Sequence, residues 1–534
     1  MLVCGALVVS FVFLGATLIY GFYFINYSLE FSGLGFNSSG LEFCVVFDGV
    51  SCLFIYMLLC CGLMALVYCV HYCGSFSLAY NLYYLMFIFV LVMVFLVMSG
   101  NFLSTLVLWE YLGFVSFILI LFYSNESSLR SAIITLVSSR FGDVGLFVVL
   151  CYWLNSFGCG GVIFSLGVAA VVLSKSACYP LISWLVEAMR APTPVSSLVH
   201  SSTLVAAGVW FSVRYGFVFE ALSLWLIYVS SILTVILSGI CASGFMDLKK
   251  VVAFSTCNNI AWCLVYFACG DIFLVLCQLI SHGLCKCLLF MLVGDLMMSS
   301  GSGQSSVGVY GVAYMGFWGC FCRMILVFFL CGLPYIGVFF TKHYFFSCYF
   351  FGLSWFSLCL VLFGFFLSSV YSFRFFWMLV GGFCGLSDMY YKDFVLGGLS
   401  VVFGSVLNYW LCGVMEECYS VGAKAGILMV FLQVVGGVIG WFLCYVHNNI
   451  DFYRVICWCS SVFGCDCLVS CFYRFYIFLG GLVVSVLYRW EVWLGFYFVS
   501  KGFVSIRGFS GFMFSVGWLG FGVALVIFVC LVFS

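Results

Sequence analysis

Apolar runs near 20 residues recur from one end of the chain to the other, separated by short polar or glycine-rich breaks. Each is long enough to cross the hydrocarbon core of a bilayer as a helix. The runs are continuous rather than alternating, so they predict helices and not the strands of a membrane barrel. The 20-residue criterion gives about 15 of them. They lie near 1–26, 45–69, 80–100, 102–123 and 131–154, then near 197–217, 222–243, 250–269 and 272–298. The polar stretch from Ser299 to Ser306 reads as a loop. Beyond it a run begins near 312 and is interrupted at Pro334, and others follow near 352–380, 395–414 and 425–446.

The end of the chain has a different pattern. Residues 472–507 place Arg474, Arg489, Glu491, Lys501 and Arg507 at intervals among aromatic side chains. That stretch is too long for one ordinary span and predicts a helix lying along a surface. The competing arrangement is two spans joined at Gly480 and Gly481. A last apolar run covers about 514–533. The expected organisation is N-terminal membrane helices over 1–101, a core over 102–380, further membrane helices over 381–471, the surface-lying helix over 472–507 and a terminal anchor over 508–534.

Composition narrows the class. The chain of 534 residues is 66% hydrophobic and 7% charged. A soluble domain carries about 25% charged residues, so the fold class is an all-α polytopic membrane protein. The net charge is zero, which argues against a nucleic-acid partner. Met1 leads into an apolar run with no basic segment before it, so that run reads as a first span rather than a removable signal. The 32 cysteines lie mostly inside apolar runs, where Cys serves as a small hydrophobe. Cys457, Cys459, Cys465 and Cys467 could close a tetrahedral thiolate site, although apolar filler is the simpler account. No metal is expected.

The charges inside the runs carry the chemistry. Lys175, Glu187, Arg190 and His200 fall within one stretch that also holds Pro180, Pro192 and Pro194, three of the four prolines. A charged side chain at bilayer depth costs about 2.5–3.5 kcal/mol on insertion scales, and proline frees backbone groups that need new partners. Glu110 lies mid-run with no basic residue within four positions, so its partner must come from another segment, and Lys175 is the expected one. At about 6 Å and an effective dielectric near 20 such a pair attracts by about 2.8 kcal/mol. That is enough to decide whether the lysine keeps its proton. Lysine suits the role because it loses its charge on burial far more readily than arginine. Arg140 and Asp143 stand at i and i+3, able to neutralise each other. His282 and Lys286 stand at i and i+4 on one helix face. Lys342 follows Pro334 by about two turns, at 3.6 residues per turn. Lys249 and Lys250 follow Asp247 at the start of a run. Pro180 and Pro334 mark two helix breaks, as in transporters built from two related halves. The series is what a proton relay requires.

The stretch SKSACYPLISWLVEAMRAPTPVSSLVHSSTLVAAG, together with LVLWEYLGFVSFILI, SSRFGDVGLF, DLKKVVAFSTCNNI and SHGLCKCLLF, closely resembles the antiporter-like subunits of respiratory complex I. The resemblance covers about residues 45–345. It implies a bundle of two inverted half-repeats with discontinuous helices. It also implies a relay of Glu110, Lys175, His200, Lys249, His282, Lys286 and Lys342, modulated by the Arg140–Asp143 ion pair. The motif VFFTKHYFF and the long C-terminal stretch resemble the member with a lateral helix. Gln278 stands where relatives often carry histidine, and His343 where aspartate commonly follows the lysine. The N-terminus resembles a version shortened by one helix. The implied role is proton translocation across the mitochondrial inner membrane, in a multi-pass subunit of an NADH:ubiquinone reductase. This chain would hold no redox centre. NADH, FMN, iron–sulfur clusters and ubiquinone would bind partner subunits. The implied partners are the sister chains 2 and 4, supernumerary subunits and lipids including cardiolipin. The alternative is the large subunit of a multisubunit Na+(K+)/H+ antiporter.

Overall fold

A computed structural model describes residues 27–31, 43–73, 76–154, 161–299, 304, 316–349, 352–380, 398, 401–402, 404–406, 408–409 and 419–446, with short pieces at 462, 470–471, 474–475 and 477–481. The chain divides into two units, 1–463 and 464–534. In the second unit the described pieces are short and helical. The expected surface-lying helix, the terminal anchor and the four-cysteine cluster lie almost wholly outside the described residues.

The first unit is a helix bundle preceded by one element that the run pattern does not predict. Strands β1 (Tyr27–Phe31) and β2 (Phe43–Phe47) pair antiparallel, with Tyr27 opposite Phe47. The segment Tyr-Ser-Leu-Glu-Phe alternates apolar and polar residues, the period of a strand. Asp48 then starts α1 (Gly49–Cys73): the Ser51 amide donates to Asp48 Oδ1 at 3.0 Å, and the Asp48 amide donates to Ser51 Oγ at 2.8 Å. This reciprocal cap satisfies two orphan donors of the first turn.

Helices α2 (Phe76–Met98), α3 (Phe102–Ile120) and α4 (Glu126–Leu154) follow as full spans. Helix α5 (Val162–Lys175) stops short, and two single-turn helices, α6 (Ser183–Ala188) and α7 (Thr193–Leu198), lead into a π turn at Val199–Thr203 and then α8 (Leu204–Arg214). Then come α9 (Ala221–Gly244), α10 (Leu248–Ala268) and α11 (Ile272–Ser299). Helix α12 (Gly316–Cys331) ends in a second break, and α13 (Phe339–Tyr349), α14 (Trp355–Val380) and α15 (Tyr419–Val446) complete the described bundle.

Ten described helices are long and apolar enough to cross a membrane. Their burial sorts them into layers. The Thr193–Arg214 segment is 100% buried, α10 is 94% and α11 is 89%, against 39% for α2 and 22% for α15. The three inner segments are also the least hydropathic of the spans apart from α4. They can carry polar groups because the outer helices shield them from lipid. The core therefore sits where α10, α11 and the π turn pack together, with α1 against α11.

Candidate functional site

Both predicted breaks are present, and their lysines stand on opposite sides of them. Lys175 is the last residue of α5, so it precedes its break, whereas Lys342 sits in the first turn of α13, after its break. At the first break the chain turns through Ala177 (φ 52°) and the cis Tyr179–Pro180 bond. The Trp184 indole donates to the Ser174 carbonyl at 2.9 Å, satisfying an acceptor that the stopped helix leaves open. At the second break Gly332 and Gly337 take positive φ. Gln433 Nε2 from α15 donates to the Gly332 carbonyl at 2.5 Å, and Asn408 Nδ2 donates to that of Gly337 at 3.4 Å. Irregular backbone at membrane depth is tolerated where protein groups meet its carbonyls in this way.

The expected Glu110–Lys175 ion pair does not form. Glu110 pairs instead with Arg140, which also reaches Asp143 at 3.1 Å. Both contacts come from one guanidinium nitrogen, Nη1, which carries two hydrogens. Arg140 and Glu110 lie at the edge of the bundle, with side chains 42% and 30% exposed, whereas Asp143 is 7% exposed and Lys175 is buried. The Lys175 ammonium lies 5.3 Å from the centre of the Trp109 ring, a cation–π contact. It lies 3.7 Å from where a Cβ on Gly113 would sit, an ordinary van der Waals distance from α3. Asp143, Glu110 and Arg140 are the other charges of this group. The four charges sum to zero.

Lys175 and His200 line one cavity, with the hydroxyls of Ser116, Thr135, Ser138, Ser139 and Ser174 around them. Its volume of ≈ 10 Å³ is about that needed for a single water. His200 rides on the π turn with its ring edge-on to Trp184 at 6.2 Å. The hydroxyls of Ser201, Ser202 and Thr203 turn back onto the carbonyls of Ser197 and Leu198, which the wider turn leaves to be satisfied. Gly283 of α11 packs against this turn: a Cβ there would sit 3.5 Å from that of Ser202.

On the other side of the bundle Lys286 donates to Ser255 Oγ and, at 3.3 Å, to the Val252 carbonyl. His282 is buried one turn before it on α11. Lys342 faces the interior and not lipid, 1% exposed. It donates to the Cys331 carbonyl at the end of α12 (3.1 Å) and to Ser368 Oγ (3.3 Å), with the Phe365 ring 5.1 Å away. Lys249 donates to the Ala191 carbonyl at 3.3 Å and is buried, while Lys250 pairs with Asp247 at 3.1 Å as an ordinary charged helix start. His343 stacks on Phe339.

Sequence reading missed the neutral members of this set: Ser255, Asn259, Thr341 and Ser368. Asn258 and Asn259 are both buried at membrane depth. Two adjacent amides in an apolar run are the signal that could have found them. Among the described residues no hydrogen bond joins His200 to His282 or Lys286. The site is therefore two groups of buried side chains, one around Lys175 and one around Lys286 and Lys342.

The family model described as NADH:quinone oxidoreductase/Mrp antiporter, TM matches residues 99–369, which include every charged residue of these two groups. The NADH-ubiquinone oxidoreductase chain 5 of Aedes aegypti is 30% identical over 456 residues, covering 80% of this chain and 77% of that one. The chain 5 of Artemia franciscana is 36% identical over 287 residues, covering 52% of each. Among solved structures, the Mrp complex of Dietzia sp. superposes with a TM-score of 0.72 at 20% identity, covering 91% of this chain; the chain spans 58% of that relative's length. An archaeal membrane-bound sulfane sulfur reductase superposes with a TM-score of 0.65 at 16% identity. These two likenesses establish the antiporter-like fold alone. With the family model spanning half the chain and the curated relatives most of it, the chain belongs to the NADH-ubiquinone oxidoreductase chain 5 family of antiporter-like membrane subunits.

Proposed function

We propose that this chain moves protons through the membrane arm of respiratory complex I, coupled to NADH-to-ubiquinone electron transfer in other subunits. One observation carries the reading. Three buried lysines, Lys175, Lys286 and Lys342, each meet neutral acceptors or an aromatic face, and the hydrogen-bond partners of Lys286 and Lys342 are neutral. An ammonium held without a carboxylate in contact exchanges its charge at little cost, because nothing locks it in the protonated form. The Lys175 group adds a control. Arg140 holds Glu110 at the bundle edge, and any motion that frees Glu110 or Asp143 toward Lys175 strengthens the proton's hold there, while the return releases it into the hydroxyl-lined cavity beside His200.

The residues assigned to the relay are Glu110, Lys175, His200, Lys249, His282, Lys286 and Lys342, with Arg140 and Asp143 modulating the first group. The chain supplies no redox centre in this account; NADH, FMN, iron–sulfur clusters and ubiquinone bind the partner subunits. Its partners are the neighbouring antiporter-like chains 2 and 4, supernumerary subunits and lipids including cardiolipin, in the mitochondrial inner membrane. The multisubunit antiporter alternative shares the fold and the family model, whereas the curated relatives reported above are chain 5 subunits.

The test is Lys175→Met in the assembled complex, reconstituted into vesicles, with protons translocated counted per NADH oxidised. The expected result is a large drop in that ratio with assembly intact. An unchanged ratio would remove Lys175 from the mechanism.

A further inference from the structure

A chain of neutral side chains spans the gap between Lys286 and Lys342, and the direction of each hydrogen bond in it can be worked out. Asn259 Nδ2 donates to the Ser255 carbonyl at 2.9 Å, one turn back on α10. That leaves Asn259 Oδ1 as an acceptor, and Gln278 Nε2 of α11 donates to it at 3.2 Å. With its nitrogen so used, Gln278 presents Oε1 to α13, where Thr341 Oγ1 lies 2.6 Å away. The Thr341 hydroxyl has one hydrogen and two acceptors in reach, Gln278 Oε1 and the Val338 carbonyl at 2.9 Å. Only donation to Gln278 leaves the amide oxygen satisfied, and the Val338 carbonyl already accepts the Lys342 backbone amide at 3.3 Å. All three side chains are buried, and Gln278 and Thr341 have no exposed surface. The chain therefore runs one way, from Thr341 through Gln278 and Asn259 to a backbone carbonyl, where it stops.

Two consequences follow from ordinary chemistry. A backbone carbonyl passes no proton on, and a carboxamide does not titrate near neutral pH, so this chain is not a wire. Its effect is mechanical: it ties the first turn of α13, and with it the residue next to Thr341, to α10 and α11. We infer that Gln278 is a positioning residue, whose one accepted and one donated hydrogen bond hold Thr341 and so seat Lys342 relative to Lys286. This rests on the proton-translocating reading above. What position 278 requires is one acceptor facing α13 and one donor facing α10, about the reach of glutamine. A neutral imidazole offers the same pair; leucine offers neither, and asparagine is one carbon short.

The experiment uses the assembled complex in vesicles, with protons translocated per NADH and NADH oxidation rate both measured. Gln278→Leu is expected to lower the translocation ratio about 3-fold or more while NADH oxidation with an uncoupler changes less than 2-fold. Gln278→His is expected to restore the ratio to within 2-fold of the parent. Thr341→Val should reproduce the Gln278→Leu loss, Thr341→Ser should not, and the Gln278→Leu/Thr341→Val double variant should be no worse than either single change. If Gln278→Leu fails to assemble, the isosteric Thr341→Val decides alone. A parental ratio in Gln278→Leu or Thr341→Val, or a Gln278→His ratio as low as that of Gln278→Leu, overturns the positioning role. Lys342→Met serves as the reference: if it too pumps normally, the proton reading has failed, whereas a defective Lys342→Met beside a normal Gln278→Leu sinks the bridge alone.

Discussion

At the scale of single residues, the first group shows why charge identity matters more than charge count. Arg140 serves Glu110 and Asp143 together, leaving Lys175 without an ion pair in contact. Exchanging the pairing, so that Lys175 met Glu110 and Arg140 stood alone, would lock the one group able to give up its proton. Asp143 is the buried carboxylate of the cluster, and removing its charge leaves a net positive set inside the bundle. Arg140 is 42% exposed and keeps Glu110 when Asp143 is lost, so the cost falls below the ~3–5 kcal/mol of a fully buried pair. Asp143→Leu is therefore expected to lower the melting temperature of the purified complex, and Asp143→Asn, which keeps one acceptor for Arg140, to lower it less. Equal melting of the two variants would mean that Asp143 acts only as packing. Arg140→Gln should release Glu110 toward Lys175 and reduce translocation per NADH by less than Lys175→Met does.

At the scale of elements, glycine positions set how closely the helices of the first group approach. A Cβ on Gly208 of α8 would meet the Ser176 amide nitrogen and the Val172 carbonyl at 2.9 Å each, both backbone. One on Gly142 of α4 would meet the Ser174 hydroxyl, which can rotate away, and the Ser174 Cβ at 3.2 Å, which must give by a few tenths of an ångström. Overpacking that must move backbone costs about 1–3 kcal/mol. Gly208→Ala should thus lower thermal stability and translocation together, and Gly142→Ala should be the milder change in both assays. The spans were legible from their apolar runs, and the two breaks from Pro180 and Pro334, because hydrocarbon solvation makes those signals strong. The β1–β2 hairpin was not, since five-residue alternation is faint beside neighbouring 20-residue runs. Lys175, His200, Lys286 and Lys342 stood out as charges at depth. Their partners did not: Ser255, Asn259, Thr341 and Ser368 are neutral and become meaningful only once α10, α11, α13 and α14 are side by side. The Glu110 partner was misjudged for a related reason, because sequence distance cannot say which of two cations, Arg140 or Lys175, a neighbouring helix will present.

At the scale of the whole molecule, the expected surface-lying stretch over 472–507 belongs to the second unit, beyond the described helices. Truncation before Phe472 should weaken incorporation into the complex more than it alters pumping by complexes that do form, measured by native gel against translocation per NADH. Normal assembly of the truncated chain would end the idea that this stretch clamps neighbours. The layering of the bundle bears on something else, the order in which the chain enters the membrane. The Thr193–Arg214 segment has a mean hydropathy of 1.2 and α10 of 1.5, against 2.5 for α1 and α2. Segments so polar gain little from lipid on their own, and α10 also brings Lys249 and Lys250. They must be shielded by helices that precede them, α1 and α5, and by α9 and α11 as these neighbours arrive. Insertion is then cooperative: the outer spans enter as independent units, and the inner ones wait in the insertion machinery until a neighbour can shield them. A substitution that weakens an outer helix would therefore show itself first as failed insertion of the polar helices it shelters, far from the altered residue.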